Sequence, residues 1–249
     1  GHPNWHKVLN NTVVPHLVSS KSFIFLAVAL IGTTITPYIQ LYEAGAVVDR
    51  GVKPSEYRLQ RVDAISGAVI SNIVAAAIII ATAATIGGSG VLQSASTAAH
   101  ALKPVAGPAA VTLFGLGLLG ASALAAAVVP LSTSYAVAEA LGVERSVSLS
   151  FRQAPVFLGI FTFQIAIGAA VVLVPGNLIT LILNTQVLEG VITPMTLILI
   201  LILANRRSLL GDAANGPLGR WVGGVSILAV AAVAAIYVGL TVLGWFGLH

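Results

Sequence analysis

The chain has 249 residues, of which 57% are hydrophobic and only 8% are charged, and it contains no cysteine. The composition indicates an integral membrane protein, because this small number of charged side chains cannot cover the surface of a soluble fold. The lack of cysteine excludes disulfides, thiolate metal ligands and thiol catalysis. Few aromatic residues and many small and aliphatic ones favour packed membrane helices over an alternating barrel.

Apolar segments long enough to cross a bilayer as helices, about 20 residues each, recur along the chain. Six spans are predicted, at 23–50, 60–86, 108–140, 153–175, 177–204 and 219–246. The predicted fold is therefore all-α. Residues 1–22 are assigned to an extracellular loop, 23–204 to five helices, and 205–249 to a loop with one additional C-terminal span.

The distribution of basic residues predicts how these spans are oriented in the membrane. Nine of the 12 Lys and Arg residues follow the first, third and fifth spans, and short cytoplasmic loops hold most such residues. Both chain ends are therefore expected outside the cell, with an odd number of upstream spans missing. The net charge of +4 reflects orientation in the cytoplasmic membrane, and no nucleic-acid partner is expected.

The first span contains a stretch, Ile31–Glu43, that suits a lipid-facing helix poorly. Pro37 lacks a backbone N–H and disfavours helical geometry at Thr36, and Gly32 loosens the preceding turn. A helix broken here would direct carbonyls and the negative end of a half-helix dipole into a cavity. The alternative is a simple proline kink whose hydroxyls bond to the preceding turn.

Polar side chains continue beyond this break. Thr36, Gln40 and Glu43 are spaced by four and three residues, which predicts a column of oxygens on one helical face. Glu43 favours a cation site, because an intramembrane carboxylate marks a functional site by default. In the fifth span, Glu189 follows Gln186 by three residues and offers a second carboxylate, or else pairs with a neighbouring helix.

Two of these spans resemble those of a known family. Residues 32–38 read Gly-Thr-Thr-Ile-Thr-Pro-Tyr, similar to the Gly-Ala-x-x-Met-Pro-His pattern of the sixth helix of the natural resistance-associated macrophage protein (Nramp) divalent-metal transporters. Thr185, Gln186, Gly190 and Pro194 resemble the pattern of the family's tenth helix. The resemblance covers the second half of such a transporter. It implies that 23–204 is the second inverted repeat of a LeuT-like fold, and that a missing N-terminal half completes the site.

The resemblance also implies roles for individual residues at a metal site. Thr33 takes the position that offers a backbone carbonyl, Thr36 that of the metal-binding methionine, and Gln186 that of the tenth-helix glutamine. Gly32 and Pro37 form the helix break. Further residues are expected to bind metal or line the cavity, namely Tyr38, Gln40, Glu43 and Glu189.

Departures from the family pattern indicate which ion is carried. A hydroxyl at Thr36 in place of a thioether removes the preference for soft ions. Tyr38 and Glu43 stand where the family has histidines, so its histidine route for protons is absent. These changes resemble the Nramp-related magnesium transporter branch. They predict transport of Mg²⁺ and/or Mn²⁺ by alternating access without proton coupling, with the ion as substrate, lipid as surroundings and no resident cofactor.

Other functions are weighed against this one. A proton-coupled Mn²⁺/Fe²⁺ symporter of the ordinary Nramp kind would use Glu43 in place of histidine. A non-transporting membrane scaffold would use Glu43 and Glu189 to pair with a partner subunit. An enzyme is not predicted, because the sequence contains no nucleophile and base set and no His-Glu-x-x-His motif.

Overall fold

The computed structural model describes residues 4–14, 20–86, 94–174 and 176–245, in which helices occur and no strand does. The helices are α1 (Trp5–Val13), α2 (Lys21–Thr34), α3 (Pro37–Asp49), α4 (Tyr57–Ile86), α5 (Ala95–Ala101), α6 (Lys103–Ala106), α7 (Ala110–Leu141), α8 (Pro155–Val172), α9 (Leu178–Ala204), α10 (Arg207–Leu210) and α11 (Pro217–Trp245). Single 3-10 turns occupy Pro54–Glu56 and Gly211–Ala213.

Six stretches of the described chain are long and apolar enough to cross a membrane: 21–49, 57–85, 110–141, 155–172, 178–204 and 217–244. They confirm the six predicted spans, and each boundary lies within three residues of its prediction. Many apolar side chains on them are exposed, such as Ile73 on α4 and Leu119 on α7. Such faces are suited to lipid.

Polar caps define where the spans that matter for the site begin. The Ser20 hydroxyl accepts a hydrogen bond from the Phe23 N–H at 3.1 Å and starts α2. The Asn177 side chain accepts from the N–H groups of Ile179 and Thr180 and starts α9. Each cap pairs backbone donors that the first turn of a helix leaves free. The predicted loop at 1–22 contains α1, and its residues 1–3 and 15–19 lie outside the described residues.

The first span is interrupted, as predicted. Helix α2 ends at Thr34, Ile35 leaves helical geometry with φ −120° and ψ 67°, and α3 begins at Pro37. The Ile35 N–H still donates to the Ile31 carbonyl at 2.8 Å. The Thr33 carbonyl receives no helical hydrogen bond from residue 37, because Pro37 has no N–H. The break therefore lies at residues 35 and 36.

The chain forms two compact units. One contains residues 17–41 and 175–249, and the other contains residues 1–16 and 42–174. In the first unit, α2 packs on α9 and α11. Its buried core consists of Val28, Ala29 and Val187, with the rings of Phe25 and Tyr237 6.2 Å apart beside it. The predicted five-helix repeat at 23–204 stays a prediction.

The second unit is centred on Tyr135 of α7. Its ring lies 4.9 Å from that of Phe157, and its hydroxyl donates to Asp49 Oδ2 at 2.7 Å. The Ser146 hydroxyl donates to the same oxygen at 3.2 Å. This network joins the end of α3 to α7 and to the loop that follows α7, and the carboxylate gains two hydrogen bonds.

Candidate functional site

Helices α2 and α9 touch backbone to backbone through two glycines. A Cβ added at Gly32 would overlap the Gln186 carbonyl oxygen and would lie 2.6 Å from the Gly190 nitrogen. A Cβ added at Gly190 would overlap the Val28 carbonyl oxygen. Small residues permit such approach between membrane helices. Glycine at these positions is therefore required by the packing as well as by the nearby break.

The two helices run in the same direction. Gly32 meets Gly190 and Ile35 meets Thr193, and the separation along the chain is 158 residues for both pairs. A constant separation is the signature of parallel elements. The parallel register places the break at residues 35 and 36 beside the turns of α9 that run from Gln186 to Thr193.

A buried threonine holds the break in this place. The Thr193 hydroxyl is 3.0 Å from the Ile35 carbonyl oxygen and 2.8 Å from the Glu189 carbonyl oxygen, and it shares its single proton between them. Thr193 is fully buried. The sequence interpretation missed this residue, although it follows Gln186 by seven positions, which is about two helical turns on the same face.

Four buried side-chain oxygens lack a hydrogen-bond partner among the described residues. All belong to the unit that contains α2 and α9, and they are Thr36 Oγ1, Gln40 Oε1, Gln186 Oε1 and Glu189 Oε2. Thr36 is only 4% exposed. Native folds rarely leave buried polar groups unpaired, and each costs about 1–3 kcal/mol. All four residues are among those that the sequence analysis selected.

Tyr38 adds a further polar group to this region. It is half-buried in the first turn of α3. Its hydroxyl lies near the Thr36 side chain and within electrostatic range of the Glu189 carboxylate. No well-formed hydrogen bond joins Tyr38 to either residue in the described part of the chain. The phenol therefore borders the unpartnered oxygens.

Two further predicted site residues lie on either side of the break. Thr33 is the penultimate residue of α2, and its backbone carbonyl, the predicted ligand, has no N–H donor at Pro37. Glu43 is ion-paired with Arg50 at 3.1 Å, and its side chain is 56% exposed.

The predicted column of Thr36, Gln40 and Glu43 on one helix does not form. Thr36 precedes α3, and of the two helical residues only Gln40 has a buried oxygen. The physical reasons are that Pro37 starts a new helix after Thr36, and that within α3 the Glu43 side chain is exposed and paired with Arg50.

The chemistry of the candidate site is that of oxygen. The described residues contain no group of three or more His, Cys, Asp or Glu side chains that could hold a metal ion. The break, α3 and α9 together supply one hydroxyl, two amide oxygens and one carboxylate. Such ligands suit hard divalent cations better than soft ones.

Comparison with known proteins identifies relatives along nearly the whole chain. The family model described as natural resistance-associated macrophage protein-like (Nramp) matches residues 1–240. The divalent metal cation transporter MntH of Aeromonas hydrophila is 29% identical over 234 residues, which are 92% of this chain and 54% of that protein. MntH of Clostridium acetobutylicum is 25% identical over 249 residues, or 97% and 55%. The chain spans about half the length of the curated relatives it matches.

Proposed function

Because this chain belongs to the Nramp family, we propose that it supplies half of a divalent metal cation transporter. It is a multi-pass integral protein of the cell membrane. Its relatives carry the names of transporters and not of enzymes. The ion is Mg²⁺ and/or Mn²⁺, and it crosses the membrane by alternating access of the site at the α2–α3 break.

The buried side-chain oxygens near the break support Mg²⁺ or Mn²⁺ as the transported ion. The buried, unpartnered oxygens of Thr36, Gln40 and Gln186 are neutral and hard, and a bound cation would repay the cost of leaving them unpaired. The chain's single methionine, Met195, is 67% exposed, so no thioether from this half accompanies them. Mg²⁺ and Mn²⁺ prefer such oxygen ligands.

The remaining ligands come from outside this chain. Neutral oxygens orient a divalent ion without balancing its charge, whereas Mg²⁺ sites in proteins generally include carboxylates. The chain covers only 54% of the Aeromonas relative. The segments that match the rest of such relatives are proposed to complete the site, in a fold of two inverted repeats.

Transport without proton coupling is supported by the lack of titratable imidazole in the spans. The histidines in the described residues are His6 in α1 and His100 in α5, outside the six spans. Glu43, the candidate substitute for a proton-carrying histidine, forms a salt bridge with Arg50.

Uptake into proteoliposomes tests this function. The complete protein is reconstituted with dyes inside the vesicles for Mg²⁺, Mn²⁺ and pH. Entry of Mg²⁺ and Mn²⁺ without internal acidification is expected. Entry of Mn²⁺ with acidification, and no entry of Mg²⁺, would instead identify a proton-coupled symporter. A scaffold without transport function would admit neither ion.

A further inference from the structure

Glu189 has a carboxyl group for which the described residues of this unit provide no partner. It lies within the span 178–204, and its Oε2 is buried without a hydrogen bond among the described residues. The two salt bridges in the described residues are Arg50–Glu43 and Arg145–Glu139, and neither involves α9. An unpaired carboxylate in a membrane span is costly and marks a functional group.

The basic residues in the described part of this unit are too distant to neutralise Glu189. Arg220 lies in the first turn of α11, whose Gly223 is beside Leu201, twelve residues after Glu189. Arg206, the nearest one along α9, is 17 positions further on, about 25 Å at 1.5 Å per residue. Lys21 begins α2, and the parallel register places it beside residue 179, about 15 Å from Glu189 along the axis. A partner for Glu189 must therefore come from elsewhere.

The neighbours of Glu189 point to a bound cation as that partner. The Thr193 hydroxyl donates both to the Glu189 backbone carbonyl and to the carbonyl of Ile35, which lies at the break. Gln186, one turn earlier on α9, and Thr36, next to Ile35, have unpartnered oxygens of their own. The carboxylate thus belongs to a region in which other oxygens also lack partners.

We propose that Glu189 is an ion-contacting carboxylate, the negative charge that this half of the transporter contributes to the bound divalent cation. The proposal rests on the proposed function and adds a residue to it, since Thr36, Gln40 and Gln186 supply only neutral oxygens. Glu189 thereby favours divalent over monovalent cations, because its attraction to the ion grows with the ion's charge.

The test compares Glu189→Gln with the unmodified complete protein. Affinity for Mg²⁺ and Mn²⁺ is measured by calorimetry, and the melting temperature is measured with and without metal. The Glu189→Gln substitution keeps an oxygen and the size of the side chain but removes the charge. About a tenfold loss of affinity is expected, equivalent to about 1.4 kcal/mol. The metal-induced rise in melting temperature should shrink accordingly.

Without metal, the same variant should melt at the same temperature or higher, because the substitution removes a carboxyl group that has no partner among the described residues. A structural salt bridge to another segment would give the opposite sign, since its loss leaves the partner unpaired. The matched control is Glu139→Gln, which removes an exposed carboxylate already paired with Arg145 at 3.2 Å. Its metal affinity should equal that of the unmodified protein.

Unchanged metal affinity in Glu189→Gln would overturn the proposal, whatever its melting temperature. If that variant cannot be purified, Glu189→Asp keeps the charge at shorter reach and should bind Mn²⁺ several-fold more weakly; unchanged affinity would again overturn the proposal. Failure of the proposed function is distinguishable, because the unmodified protein would then neither bind nor transport Mg²⁺ or Mn²⁺.

Discussion

The Gly32→Val variant is expected to lose transport and to unfold at a lower temperature than the unmodified protein. Its Cβ would overlap the Gln186 carbonyl oxygen and would press against the Gly190 nitrogen. Both are backbone atoms of α9, so no side chain can rotate out of the way. Overpacking of this kind typically costs about 1–3 kcal/mol. Displacement of α2 from α9 would also strain the shared hydrogen bond from Thr193 to the break.

Gly239→Val is the matched control for Gly32→Val. Gly239 lies on α11 in the same unit, and a Cβ there meets nothing within 4 Å in the described residues. Both variants replace glycine with the same β-branched residue inside a helix, so the change in helix propensity is the same for both. Thermal unfolding in detergent and uptake in vesicles should therefore separate them. Equal behaviour of the two variants would contradict the close contact of α2 with α9.

The Thr36→Met variant is expected to reverse the ion preference. Thr36 is buried at the break, and its hydroxyl oxygen has no partner among the described residues. Replacing a hard oxygen with a thioether should raise affinity for Cd²⁺ and reduce transport of Mg²⁺. A change of about tenfold or more in the ratio of the two affinities is expected, worth about 1.4 kcal/mol. Competition of Cd²⁺ against Mg²⁺ uptake measures this ratio.

Thr34→Met provides the control for a methionine in the same segment. The Thr34 side chain is exposed, and its hydroxyl donates to the Leu30 carbonyl at 2.6 Å within α2. A thioether there should leave the ratio of Mg²⁺ to Cd²⁺ affinity unchanged. An unchanged ratio in a folded Thr36→Met protein would mean that the Thr36 side chain does not contact the ion.

Much of the fold could be predicted because length and proline chemistry determine it. Membrane helices must satisfy their backbone hydrogen bonds internally, so apolar length alone located six spans. Pro37 cannot donate to the Thr33 carbonyl, and the helix is indeed interrupted just before this proline. These are local effects, and a sequence reports local effects directly.

The rest of the site depends on contacts between distant residues, which the helical periodicity of the sequence does not predict. Glu43 and Gln40 look equivalent on a helical wheel, yet Arg50 pairs with Glu43 while the Gln40 oxygen is buried. Thr193 serves the break because α9 runs parallel to α2 in one register, which no local pattern specifies. The mutual contact of Gly32 and Gly190 depends on the same register. Such pairings are decided by packing over a separation of 158 residues.

The position of a bound ion would show whether the α2–α3 break binds metal. An experimental structure of the complete protein with Mn²⁺, with anomalous diffraction measured at the manganese edge, would show where the metal lies. We predict a peak at the α2–α3 break, within coordinating or water-bridged distance of Thr36, Gln186 and Glu189. A fully occupied Mn²⁺ peak elsewhere in the membrane, with these three side chains turned away from it, would rule out a metal site at this break.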